Sequence, residues 1–140
     1  MIPFHLAFPV KNLEQTRYFY GSVLGCQEGR SAERWIDFNF FGHQISAHLQ
    51  DIEVSSDPTN IVDGDQIPIR HFGAILPWAQ WQALGDDLKK QGFTFLISPK
   101  IRFKNEAGEQ GTFFLKDPSG NVLEFKSFQD MSFIFSTNNR

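Results

Sequence analysis

Two stretches of this chain repeat the same order of elements at a fixed offset, and this internal duplication restricts the fold more than any other feature. In the first stretch, Pro3 to Val10 alternates: Phe4, Leu6, Phe8 and Val10 lie on one side, His5, Ala7 and Pro9 on the other. A period of two is the signature of a strand. Asn12 then serves as an N-cap with Gln15 three positions on. Leu13, Tyr20, Val23 and Leu24 form a helical stripe, and Gly25 provides a left-handed stop. Strands are predicted near Cys26–Glu28, over Trp35–Phe41 and over Gln44–Leu49, with a tight turn at Gly42-His43.

The pattern restarts at Arg70. Phe72, Ala74 and Leu76 alternate with His71, Gly73 and Ile75, Pro77 suits a first helical turn, and Trp78, Trp81, Leu84 and Leu88 form the next stripe before Gly92. Strand material follows at Phe93–Ile97, Ile101–Lys104, Thr112–Lys116 and Asn121–Lys126, with Asp117-Pro118-Ser119-Gly120 as a turn. His5 to Gly25 is 20 residues, His71 to Gly92 is 21, and the offset between the copies is 66. Solenoid periods are about 20–50 residues, so two copies of one module fit better than an array. The expected organisation is a single domain over 1–140. Module 1 spans about 3–50, a linker about 51–69 and module 2 about 70–128, and an apolar tail covers 129–140. The stretch from Gln50 to Arg70 carries five acids and two prolines without a clear period, and reads as a linker or surface loop.

Composition narrows the function. Thirteen basic and sixteen acidic residues give a charge of -3 without a Lys/Arg block, which argues against a nucleic-acid partner. No apolar run approaches the ~20 residues of a membrane span. The N-terminus lacks a signal-peptide pattern, so a cytoplasmic location and no membrane partner are expected. The single cysteine, Cys26, excludes an internal disulfide or a Cys-based zinc site and reads as a small buried hydrophobe. Sixteen phenylalanines point to a phenylalanine-lined core or cavity. The tail residues Phe128, Met131, Phe133, Ile134 and Phe135 are too apolar to be free, and predict packing on the domain or on a second subunit in a homodimer.

The duplication also selects a set of side chains. His5 and His71 occupy matching positions on the first strand of each module, and His48 and Glu124 are read as matching positions near the end of each last strand. All four lie opposite the bulky face of their strands. If the two sheets face a common trough, three imidazoles and one carboxylate make a site for one divalent ion: Fe, Mn, Ni, Co or Zn. A carboxylate on an inward strand face also needs a partner to tolerate burial. His43, in the predicted turn, reads as solvated surface.

The residues that carry this pattern also carry a resemblance. Phe4-His5-Leu6-Ala7-Phe8-Pro9-Val10 with Leu13-Glu14, then Phe19-Tyr20 and Val23-Leu24-Gly25, resemble the vicinal oxygen chelate superfamily. So do Arg70-His71-Phe72-Gly73 and Phe114-Leu115-Lys116-Asp117-Pro118-Ser119-Gly120-Asn121 leading to Leu123-Glu124-Phe125. The superfamily includes glyoxalase I, methylmalonyl-CoA epimerase, extradiol dioxygenases and bleomycin-binding resistance proteins. The resemblance covers roughly residues 3–128. It implies an α+β fold in which two βαβββ modules form a curved, incompletely closed mixed β-barrel around one divalent metal. His5, His48, His71 and Glu124 fall at the family's ligand positions, and Glu124 and His48 are the expected catalytic groups. Arg102, Phe114 and Trp35 are expected to line the small-molecule substrate.

The function implied is a metal-dependent enzyme acting on a small substrate with adjacent oxygens. Lyase or isomerase chemistry is favoured over extradiol dioxygenation, because Phe114 stands where those dioxygenases resemble one another in carrying a tyrosine. The remaining alternative is a non-catalytic drug- or metabolite-binding module. Glyoxalase I and the epimerases usually carry Glu or Gln at the position assigned to His48, which is the main departure from their pattern.

Overall fold

The computed structural model describes residues 1–51, 59–62 and 64–137. The chain forms two compact units: Met1–Ser56 with Asp117–Asn121, and Asp57–Lys116 with Val122–Arg140. Each contains one four-stranded mixed sheet, so the α+β class and the βαβββ order of both modules follow the duplication read in the sequence. Among the described residues, no helix is long and apolar enough to cross a membrane.

In the first unit β1 (His5–Val10), β2 (Gln27–Ala32), β3 (Trp35–Phe40) and β4 (His43–Leu49) form a sheet of order β1-β4-β3-β2, with β1 parallel to β4. The helix α1 (Leu13–Arg17) begins where expected, because the Asn12 side chain accepts the Gln15 N–H at 2.8 Å. It continues as a π-helical turn over Tyr18–Val23. Gly25 then adopts φ 75°, a left-handed stop that costs a glycine little. The buried stripe of Phe19, Tyr20 and Val23 packs with Phe8 and Phe38: the Tyr20 ring lies 5.5 Å from each of those two phenylalanines. Phenylalanine thus builds a core.

The β3–β4 turn is Phe41-Gly42, both at positive φ, one residue earlier than the sequence pattern places it. His43 therefore opens β4. It is half-buried and accepts the Phe4 N–H on Nδ1 at 2.7 Å, so the expectation of a solvated turn histidine is corrected. The Asp117–Asn121 turn belongs to this unit. Asp117 is buried and accepts from Tyr20 Oη, the Ser119 and Asn121 N–H groups and Asn121 Nδ2, each at 2.9 Å. The Asn121 side chain also donates to Pro9 O, and the Ser119 hydroxyl accepts the Lys11 N–H. Burial raises the Asp117 carboxyl above its usual range, and these four donors offset that only in part. Burial also pushes the Cys26 thiol up to about 12, which fits its reading as an inert hydrophobe.

In the second unit β7 (Phe72–Ile75), β8 (Ile97–Arg102), β9 (Gln110–Lys116) and β10 (Val122–Phe128) take the order β7-β10-β9-β8, with β7 parallel to β10. One strand, β8, replaces the two expected over Phe93–Ile97 and Ile101–Lys104. The helix α2 (Trp78–Lys90) buries Trp81, Gly85 and Leu88. Trp81 packs on Phe113 and donates its indole N–H to Phe125 O at 2.9 Å.

The expected linker contains a hairpin, β5 (Thr59–Val62) and β6 (Asp65–Pro68); the rest of its acidic stretch, 52–58 and 63, lies outside the described residues. Its polar residues hide the two-residue period that would mark it as strand. In the tail, Phe128 is buried and a 3-10 turn covers Met131–Phe133, whereas Phe135 is exposed and residues 138–140 lie outside the described set.

Candidate functional site

The strand registers show which side chains share a position in the duplicated modules. In the first, Leu6 stands beside Ile45 and Ala7 beside Ser46. In the second, Phe72 stands beside Leu123 and Gly73 beside Glu124. Superposing His5 on His71 therefore places Ser46, not His48, at the position of Glu124. His48 lies two residues further along β4, beside Pro9 and Trp35. Gln44, Ser46 and His48 all share one face, so a period-two reading cannot separate them; only the pairing between strands does. Within the first unit His5 stands beside Gln44, four residues along β4 from His48, or roughly 13 Å of strand, so these two imidazoles are not brought together.

The second unit brings His71 and Glu124 together. His71 Nε2 is 3.3 Å from Glu124 Oε1, and His71 Nδ1 donates to the Pro68 carbonyl at 2.7 Å. A carbonyl only accepts, so Nδ1 carries the proton. In neutral imidazole Nε2 is then a lone pair facing a carboxylate. Such an approach is favourable only with positive charge between the two atoms: a proton or a metal cation. Glu124 is further oriented by the Thr112 hydroxyl, which donates to Oε2 at 2.5 Å.

The electrostatics follow. The hydrogen bond to Glu124, helped by Pro68 O, holds the His71 imidazole above its usual range against partial burial and the nearby Lys126. Burial pushes the Glu124 carboxyl up, but His71, Thr112 and Lys126 outweigh it and keep it below the ordinary range. Phe114 is fully buried and its ring meets the His71 ring edge-on at 5.1 Å between centroids. It steadies the imidazole and is not open to a substrate, which corrects its expected lining role.

The first unit presents His5 in a comparable way. His5 is exposed and its Nδ1 lies 2.8 Å from Gln44 Oε1. The Gln44 amide N–H donates to Asp37 Oδ2 at 3.3 Å, and the Ser46 hydroxyl donates to Asp37 Oδ1 at 2.5 Å. His48 is exposed and Trp35 half-buried, beside each other in the β3–β4 ladder.

Arg102 departs from the sequence expectation. Its side chain is almost fully buried, and its guanidinium donates to Val62 O and Asp65 Oδ2, each at 3.0 Å. Lys100 shares Asp65 at 2.9 Å. These contacts tie the β5–β6 hairpin to β8, so Arg102 is a structural cation and not an open substrate ligand.

Sequence reasoning missed Pro68, Thr112, Asp37 and Gln44. The last two sit on the polar face of strands otherwise rich in apolar residues, and that alternation was a usable signal; Pro68 acts through its carbonyl and left none. Among the described residues, no three or more His, Cys, Asp or Glu side chains cluster as a metal site.

Comparison with known proteins adds the family. The family model of the Glyoxalase/Bleomycin resistance protein/Dioxygenase superfamily matches residues 2–125. A glyoxalase/bleomycin resistance protein/dioxygenase from Alicyclobacillus acidocaldarius is similar at 35% identity over 96% of both chains, with a TM-score of 0.77. A glyoxalase/dioxygenase from Nostoc punctiforme shares the fold at 15% identity, 92% of both chains and a TM-score of 0.68. A lactoylglutathione lyase from Agrobacterium tumefaciens does so at 12% identity, 90% of this chain, 92% of its own and a TM-score of 0.62. No curated protein matches. The duplicated βαβββ units and the match over nearly the whole chain make this protein a member of the Glyoxalase/Bleomycin resistance protein/Dioxygenase superfamily.

Proposed function

We propose that the protein is a metal-dependent enzyme acting on a small substrate with adjacent oxygens, with His71 and Glu124 as the ligand pair of a divalent ion and His5 as a further ligand residue. The observation that carries this reading is the His71–Glu124 pair, whose Nε2 and carboxylate face each other at 3.3 Å while Nδ1 is already committed to Pro68 O, an arrangement that either a proton or a metal cation satisfies. The donor set suits Fe, Mn, Ni, Co or Zn. Both histidines have Nδ1 bonded to an oxygen, an arrangement that orients Nε2 for a metal. His48 is left out of the ligand set because Ser46 takes the position that matches Glu124.

A metal bound there supplies Lewis-acid polarisation of a substrate's adjacent oxygens. The chain's own groups orient it: Thr112 and Phe114 fix the carboxylate and the imidazole, and His48 offers an exposed group for moving a proton. Phe114 carries no hydroxyl, which favours lyase or isomerase chemistry over extradiol ring cleavage. A binding module without catalysis is disfavoured by the oriented ligand pair. A cytoplasmic location belongs to the same reading, and detection in a membrane fraction after cell fractionation would count against it.

Protein purified without a histidine tag should contain about one divalent ion per chain. His71→Ala and Glu124→Ala should each lower metal content by at least tenfold, while His48→Ala leaves it unchanged. Metal content equal to wild type in both ligand variants would sink the assignment. Because the ligating imidazole must be neutral and His71 holds its proton more tightly than free histidine, binding should weaken already as pH falls toward about 6.5.

A second copy of the chain is the proposed protein partner. Met1, Ile2, Phe4 and Phe135 are large apolar side chains left exposed on one chain, and a dimer would cover such surface. Sedimentation should give twice the mass of one chain at micromolar concentration; a single-chain species would defeat this.

A further inference from the structure

We propose that Asp37 and Gln44 form a positioning chain that locks His5 in its Nδ1–H tautomer and leaves Nε2 as its ligating atom. The ligand role rests on the metal reading above; the tautomer does not.

The argument is one of donors and acceptors. Asp37 is a carboxylate and only accepts. It takes the Ser46 hydroxyl on Oδ1 at 2.5 Å and an N–H of the Gln44 amide on Oδ2 at 3.3 Å. That fixes which end of the amide faces which neighbour: the nitrogen meets Asp37, so the oxygen meets His5, at 2.8 Å from Nδ1. An amide oxygen only accepts, so Nδ1 must donate. The neutral ring then keeps its lone pair on Nε2. The strand ladder makes the chain possible, since Asp37 stands beside Ser46, Asn39 beside Gln44, and His5 beside Gln44 from the other side.

The two modules thus fix the same tautomer by different means. In the second, the acceptor at Nδ1 is the Pro68 backbone carbonyl, which cannot exchange oxygen for nitrogen. In the first, the acceptor is a side-chain amide, which can rotate to present N–H instead. Once rotated, it would donate to Nδ1 and reverse the His5 tautomer, which puts the ring proton on Nε2 and removes the lone pair there. Asp37 prevents that rotation. It touches neither the metal nor a substrate in this scheme and acts only through Gln44.

The test is the imidazole nitrogen resonances of the metal-free full-length protein near pH 8, followed by cobalt(II) titration. Wild type should show His5 protonated on Nδ1. Asp37→Ala should shift His5 toward the Nε2–H form and weaken cobalt(II) binding about tenfold. Asp37→Asn, whose side-chain oxygen still accepts from Gln44, should restore both. Unchanged His71 resonances serve as the check that the variants fold. A wild-type His5 protonated on Nε2, or an Asp37→Ala variant with the wild-type tautomer, would overturn the proposal. Wild type with the expected tautomer but no cobalt(II) binding would uphold the positioning chain and sink the metal reading.

Discussion

Gly73→Ala should destabilise the protein by about 4 kcal/mol or more, a large share of the roughly 5–15 kcal/mol that holds a domain folded. A Cβ at this position would lie 1.5 Å from the carbonyl oxygen of Glu124, 2.6 Å from its carbonyl carbon and 3.1 Å from its nitrogen. All three are backbone atoms of β10, so no rotamer change relieves the clash. β7 would have to leave β10, which removes the parallel ladder and separates His71 from Glu124. Gly111→Ala provides the control. Its Cβ meets the Trp81 indole at 2.6 Å, but a ring can shift where a strand cannot, and about 1–3 kcal/mol is expected. Chemical denaturation of the two variants measures the contrast; a Gly73→Ala protein within 1 kcal/mol of wild type would refute this account of the β7–β10 contact.

The second large effect is expected at Asp117. Asp117→Ala removes the acceptor of four hydrogen bonds at once and leaves the buried Tyr20 hydroxyl without its partner, at a cost of about 3–4 kcal/mol. Tyr20→Phe removes one donor and should cost about 1–2 kcal/mol. The two should also be coupled, so that the double variant is less damaged than the sum. Tyr20→Phe carries a further signature. With one donor gone, burial is less well offset, and the Asp117 carboxyl should titrate higher still. Equal and small losses in the two single variants, with an unmoved Asp117 titration, would mean that this turn is held by other contacts.

The duplicated βαβββ order was legible in the sequence, apart from the division of the stretch that forms β8, because it rests on local signals. Period-two alternation put Phe8 and Val10 inward and His5 outward, an N-cap opened the first helix, and glycines at positive φ ended elements at Gly25 and Gly92. The face of every proposed ligand was legible for the same reason. The hairpin over Thr59–Pro68 was not, since its polar residues carry no alternating pattern.

What the sequence could not determine is register. Alternation repeats every two residues, so it is equally content with Gln44, Ser46 or His48 opposite the first strand; the β1–β4 pairing alone selects Ser46 as the match of Glu124. Distance along the chain hid the rest. Tyr20 and Asp117 are 97 positions apart, and the need for glycine at residue 73 comes from a carbonyl 51 residues later. Arg102 was expected at the substrate because the resemblance puts its segment beside a cavity, and it became a structural cation when folding placed Asp65 and the Val62 carbonyl against it. Local chemistry set which elements form and which way their side chains face. The tertiary structure decided which of those side chains meet, because hydrogen-bond partners and close backbone approaches exist only once distant strands have been placed side by side.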